Sequence, residues 1–367
     1  MKRVVCILIF IMIFCFSVSA DENVYEEQYG AAAVEELKDS LGEGAKEFFD
    51  ESGLSPEDYN WVNKIDREHI FSHIGEFLSE GGRGPLRAAT QMMGIIILFA
   101  AAGLFEKLSE YKTVISYIFI LLTAASVFLP MLSLISAVTD AIKGVATFMT
   151  AFIPVYSGIL TVGGKGLTAS GMSFLLLFAA EGVNLIASFV VLPLMSAYLG
   201  MGLISGIMPG GSAITLGETV KKASTWLFSL TLTVFLGLLS IQTAVNASAD
   251  SAGLRTVKFV LGSLVPVTGG ALSESLSTLT SSVKLLGSSV AMWAVLAIGI
   301  SVLPVILELL LWRLTLYFST AVSELFSIKE GANLFKCADY VLSTLLGIIL
   351  FTGSLFIISL AVITNST

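Results

Sequence analysis

The chain has 367 residues, 55% of them apolar and only 13% charged, with a formal net charge of −8. Soluble globular chains carry roughly a quarter charged residues, so this composition excludes an ordinary soluble domain and points to an integral membrane protein. The charge is unevenly placed: residues 21–87 hold 17 acids and 6 bases, and residues 88–367 hold 11 acids and 12 bases, without the basic stripe that nucleic-acid binding needs.

Residues 1–20 have the layout of a secretory signal. Lys2 and Arg3 form the charged start, residues 4–16 a 13-residue apolar core, and Val18-Ser19-Ala20 a small-residue cleavage site. Thirteen helical residues reach about 20 Å, short of the ~30 Å hydrocarbon core. An uncleaved anchor is the alternative. Phe14 spoils any lipobox at Cys15. Cleavage would remove Cys6 and Cys15 and leave Cys337 alone, which excludes an intramolecular disulfide, a Cys-based metal cluster or a redox pair.

Residues 21–87 follow the signal and are expected outside the cytoplasm as a small acidic helical region. Val34, Leu37, Leu41, Ala45, Phe48 and Phe49 share a helical spacing. Ser55-Pro56-Glu57-Asp58 predicts a helix start: Ser caps, Pro takes the first helical position, and the acids face the positive dipole end. Ile70, Ile74, Phe77 and Leu78 give this second region an apolar face, and Gly81-Gly82 is expected to end it. Some 67 residues bury a modest core, so the region is expected to depend on a partner. His69 and His73, the only histidines, share a helix face. Ile70 stands where a zinc-protease H-E-x-x-H would need Glu, so a solvated face is expected there.

Six apolar runs follow, at residues 88–105, 113–139, 172–200, 224–245, 288–312 and 340–364, broken by charge only at Glu181 and Glu308. Each is long enough to span a bilayer as a helix. The fold class is therefore all-α, a polytopic helical membrane body over residues 88–367. Its one further apolar helical pattern, Leu276, Leu279, Val283, Leu286 and Val290, reads equally as an interfacial helix and as packing within the chain.

Two shorter apolar segments carry P-V-x-x-G, as Pro154/Val155/Gly158 and Pro266/Val267/Gly270. Further landmarks repeat with them. Pro193 follows Pro154 as Pro304 follows Pro266, and G-E-T-V-K-K-A-S-T-W-L-F-S from Gly217 aligns on G-A-N-L-F-K-C-A-D-Y-V-L-S from Gly331, with a period of 111 to 114 residues. This spacing predicts two internal repeats, about 145–245 and 257–364, as polytopic membrane proteins often have. The charge-free stretch around the second motif covers only 15 residues, 259–273, and contains the breakers Pro266, Gly269 and Gly270. Both motif segments are accordingly expected to be re-entrant or interfacial, with Gly270 supplying close backbone approach or positive φ. That makes the repeats parallel; if the segments cross, the repeats are inverted and the spans number eight.

Chemistry-bearing residues are few. Glu181 lies inside a run, three residues before Asn184. A charge at such depth costs about 2.5–3.5 kcal/mol, so Glu181 is either an ion or proton ligand facing a cavity or a hydrogen-bonded carboxyl that helps helices pack. Glu308, four residues after Pro304, faces either the carbonyl that the proline frees or Arg313. No G-x-x-x-x-G-K-[ST] loop and no nucleophile elbow is present, so no enzyme, cofactor or metal site is expected.

At residues 258–274, K-F-V-L-G-S-L-V-P-V-T-G-G-A-L-S-E, and in its overall plan, the sequence resembles the stage III sporulation protein AE family of endospore-forming bacteria. The resemblance implies a mother-cell membrane protein of the channel complex that links mother cell and engulfed forespore. It also implies partners: other stage III sporulation membrane proteins, ring-forming proteins, a separate cytoplasmic ATPase and a forespore-side partner, all set in a lipid bilayer. The family carries no catalytic residues onto this sequence. The expectation is thus a non-enzymatic multi-pass subunit of that complex; a stand-alone secondary transporter with an intramembrane carboxylate site is the alternative.

Overall fold

The structure, a computed structural model, describes residues 36–55, 61, 67–102, 112–186, 188–189, 192–207, 212–264 and 269–366. The signal segment with Cys6 and Cys15, the predicted helix start at Pro56, Glu57 and Asp58, and Pro266 lie outside the described residues. Among those described, all regular structure is helical: α1 (Glu36–Asp39), α2 (Glu43–Ser52), α3 (Arg67–Gly81), α4 (Arg83–Ala102), α5 (Lys112–Val162), α6 (Gly166–Ile186), α7 (Leu192–Ile207), α8 (Ser212–Leu264), α9 (Gly269–Leu325) and α10 (Lys329–Ser366). Six stretches are long and apolar enough to cross a membrane: Ile74–Ala102, Val114–Val162, Gly166–Ile186, Ser229–Gly253, Leu286–Leu325 and Lys329–Thr364.

The helical spacing near the N-terminus is realised in α1 and α2. Leu37, Leu41, Ala45, Phe48 and Phe49 are all buried, while Val34 lies outside the described residues. Gly53, at φ 64, closes α2 in the left-handed region that glycine adopts without strain. Gly81 ends α3, as the Gly81-Gly82 pair leads one to expect. Gly82 forms a single-residue turn, and α4 resumes at Arg83.

The apolar run at 113–139 proves to be the first half of a much longer helix. α5 continues through Asp140 and Lys143 and through Pro130 and Pro154. The first P-V-x-x-G copy is thus part of one continuous helix and not a break in the chain. A proline inside a helix removes one backbone hydrogen bond and kinks the axis. Here the helix carries on because its neighbours are packed: Phe152, Ile153, Tyr156, Ile159 and Leu160 are buried around Pro154, which itself faces outward. The helix stops at V-G-G-K. The Lys165 N–H donates to the Leu160 carbonyl at 2.9 Å and the Gly164 N–H to the Thr161 carbonyl at 3.0 Å, while Gly164 sits at φ 77. This six-to-one and five-to-two pairing is the Schellman end of a helix and turns the chain straight into α6.

The second copy differs. It joins two helices, α8 and α9, and residues 265–268 between them lie outside the described set. Gly269 and Gly270 are the first two residues of α9. Gly270 is helical and does not take positive φ. The pattern at 276–290 is part of α9 as well, continuous with the apolar stretch after it.

The run at 172–200 takes in α6 and the first part of α7, with Ser188 and Phe189 between them π-helical and residues 187, 190 and 191 outside the described set. Pro193 is the second residue of α7, where a missing N–H is harmless. Pro304, its counterpart by spacing, lies inside unbroken α9. The paired landmarks therefore do not occupy matching structural positions.

The helices form one elongated bundle with α10 at its centre, packed by α9, α8, α5 and α7. Direction alternates. Tight turns fold α6 back on α5 and α10 back on α9. Phe148 of α5 meets Trp293 of α9 with ring centroids 6.2 Å apart, and Tyr156 stands 3.5 Å from Thr364 near the end of α10. The N-terminal unit docks at this same end. Phe49 lies 4.8 Å from Trp293. The buried Trp61 indole donates to Ser289 Oγ at 3.1 Å, and Trp293 donates to the Leu54 carbonyl at 3.4 Å.

Candidate functional site

The two carboxylates of the apolar runs, Glu181 and Glu308, are not brought together. Glu181 lies on the outer face of α6 and is exposed, with no partner among the described residues, and Asn184 does not bind it. Its neighbours on that face are apolar: Phe174 and Phe178 are each 70% exposed, and Leu185 53%. Among the described residues Glu181 faces neither a cavity nor a hydrogen-bonding helix.

Glu308 is half-buried on α9, where Trp312 one turn on gives it a side-chain hydrogen-bond partner. It does not pair with Arg313. That guanidinium reaches across to α10 and forks onto Asp339, Nε to Oδ1 at 2.7 Å and Nη2 to Oδ2 at 3.4 Å. The reason is geometric. Residues five apart on a helix point about 140° away from each other, whereas three and four apart are neighbours.

The inner face of α6 is built differently from its outer one. Asp250, buried on α8, accepts the Leu167 N–H at 3.1 Å and the Thr168 N–H at 2.9 Å. These are donors of the first turn of α6, which has no helical partner for them, and a carboxylate there also meets the positive end of the helix dipole. One and two turns earlier on α8, Asn246 and Gln242 press against Gly171, where a Cβ would run into both amide nitrogens. A polar stripe of α8 thus fastens α6 by its N-terminus. Neither Asp250 nor Asp339 stands out in the sequence; each is a lone acid whose partner is distant in the chain.

The remaining candidates scatter. Pro154 and Gly158 are exposed near the end of α5, Pro193 opens α7, and Gly269 and Gly270 open α9. Cys337 is buried and unpaired, beside a void of about 10 Å³ lined with Leu199, Phe128 and Ala338. Among the described residues no three His, Cys, Asp or Glu side chains gather to hold a metal. The site that does emerge is a surface: the exposed apolar side of α6 and α8, with one carboxyl in it.

Comparison with known proteins places this architecture. Stage III sporulation protein AE of Bacillus subtilis (strain 168) is 26% identical over 345 residues, which cover 92% of this chain and 82% of that protein. No solved structure matches. Residues 85–367, the whole helical body from the start of α4, match the family model described as Stage III sporulation protein AE. The chain belongs to the stage III sporulation protein AE family.

Proposed function

We propose that this chain is a non-enzymatic, multi-pass subunit of the channel or secretion-like complex between mother cell and forespore. In this reading it sits in the mother-cell membrane around the forespore. Residues 1–20 are removed on export, and residues 21–87 lie outside the cytoplasm. Its partners are other stage III sporulation membrane proteins, a separate cytoplasmic ATPase and a forespore-side protein. The observation that carries the reading is the family match across residues 85–367, the same stretch that supplies nearly all the apolar helices. The fold supports a scaffold role, because its polar contacts (Asp250 on α6, Arg313 on Asp339) tie helices together. A stand-alone transporter would turn its carboxylate inward to a solute, and Glu181 faces out.

The test is deletion of the gene in its native host, with complementation by a tagged copy. The expected outcome is loss of heat-resistant spores after engulfment, rescue by the tagged chain, and its isolation from sporulating membranes together with the ATPase. Normal spore counts without the chain, or isolation of the chain alone in a form that binds a small solute, would overturn the proposal.

A further inference from the structure

Height along the bundle is set by the turn at Gly164. Glu181 on α6 and Phe148 on α5 both lie about 25 Å from that turn at 1.5 Å per residue. Phe148 touches Trp293, and Trp293 touches Phe49 of the N-terminal unit. Glu181 therefore stands level with that unit. The unit carries surface ion pairs, Lys38 with Asp50 and Lys46 with Asp39, each at 2.5 Å. Such a charged body does not enter hydrocarbon.

The outer face of α6 and α8 at this height is apolar. Phe174 and Phe178 are each 70% exposed, and Leu238 and Ile241 on antiparallel α8 are 54% and 66% exposed. If the face stands clear of the bilayer beside the N-terminal unit, these rings meet water, and an apolar patch of this kind on a protein marks an interaction site. If the bilayer rises to it, the Glu181 carboxylate sits in lipid at a cost of about 2.5–3.5 kcal/mol. Both placements are relieved by the same thing, a protein surface that covers the rings and brings a partner for the carboxylate. A two-fold contact between copies would set Glu181 against Glu181, like charge on like charge.

We propose that this face docks a helix of another protein, which lays apolar side chains on Phe174, Phe178 and Ile241 and sets a Lys or Arg against Glu181. The proposal rests on the reading of the chain as a subunit of a complex. Covering the face removes the carboxylate from water, and a cation at hydrogen-bond distance offsets that loss.

The test places a photoreactive benzophenone amino acid at position 178, and separately at Leu121, in sporulating cells of the native host. Leu121 is 61% exposed on α5 at the opposite end of the bundle. Position 178 is expected to cross-link a helical peptide of another protein that contains Lys or Arg, identified by mass spectrometry, and position 121 to cross-link lipid. With chain level held equal, Glu181→Lys should cut the adduct at 178 about tenfold, a change of about 1.4 kcal/mol, and isosteric Glu181→Gln about threefold. An adduct at 178 with lipid alone, or with a second copy of this chain, overturns the proposal, and so does a partner adduct that Glu181→Gln leaves unchanged. Should Glu181→Lys fail to accumulate, the Gln variant decides. The functional reading fails separately: it falls if cells lacking the chain still form spores, whereas lost spores with lipid-only adducts sink the docking proposal alone.

Discussion

α10 and α8 are both long and apolar, and they meet opposite surroundings. The apolar window of α10 is 72% buried at a mean hydropathy of 2.6, and that of α8 is 7% buried at 1.6. α10 is apolar along most of its length and forms the axis around which the others pack, as such a helix in a large bundle should. α8 offers a polar stripe, Gln242, Asn246 and Asp250, to one neighbour, buries Phe235 and Leu239, and leaves Val234, Leu238, Ile241 and Val245 uncovered. The difference teaches that hydropathy ranks these helices by their need for cover without saying who provides it. For α10 the chain provides its own cover; for α8 it does not.

The comparison is broken first by truncating one side chain in each helix. Phe356 on α10 is fully buried, and Phe356→Ala should lower the stability of the detergent-solubilised chain by about 3–5 kcal/mol. Val234 on α8 is 53% exposed, and Val234→Ala should change it by less than ~0.5 kcal/mol. Thermal unfolding of the two purified variants checks both, and equal losses would erase the distinction. Next comes the fastening of α6. Asp250→Ala leaves two helix-end donors unpaired and should cost about 2 kcal/mol. Hydrogen exchange at the Leu167 and Thr168 amides should rise in this variant with little change at Phe356.

A smaller effect, of opposite sign, lies at the far end of α10. Ser327 adopts φ 59 in the Schellman turn that ends α9, where Ile328 N–H donates to Ser323 at 2.8 Å. Ser327→Gly removes the left-handed strain and should raise stability by at most ~1 kcal/mol in the same unfolding assay. The smallest effect belongs to the N-terminal unit. Lys46 donates to Asp39 and adds its charge beside it, which holds the Asp39 carboxyl below its usual 3.8 and Lys46 above its usual 10.5. The Asp39 contribution is present above the unfolded value and lost as pH falls through the folded one; the Lys46 contribution is present below 10.5 and lost as pH rises through the folded value. Both groups lie at the surface, where solvent screens the pair, so Lys46→Met should leave the unfolding midpoint unmoved across neutral pH.

Local patterns were legible in the sequence. The apolar stripe from Leu37 to Phe49 is buried as its spacing demands, and apolar runs of spanning length do fold as helices. Pro154, Pro193 and Pro304 read alike in the sequence, yet Pro193 stands at the start of α7 while the other two lie inside long helices. The outcome turns on packing that one residue's neighbours in the chain do not reveal. The i to i+5 spacing of Glu308 and Arg313 was itself a signal that they would not pair. Asp250 and Asp339 were beyond such reasoning, because each acts on a helix that only the tertiary fold brings near. The outward turn of Glu181 was hidden for the same reason: a lone acid in an apolar run does not announce which side of its helix will be left uncovered.

The two indoles that clasp the N-terminal unit also order events in time. Trp61 and its partner Ser289 are 228 residues apart, and Trp293 and Leu54 are 239 apart. At bacterial synthesis rates of about 5–20 residues per second, the unit emerges roughly 10–50 s before its platform on α9 exists. For that interval Phe49 and Trp61 lack the α9 surface on which they rest. The unit becomes a late-closing latch, and its docking reports that α9 has reached its place beside α5.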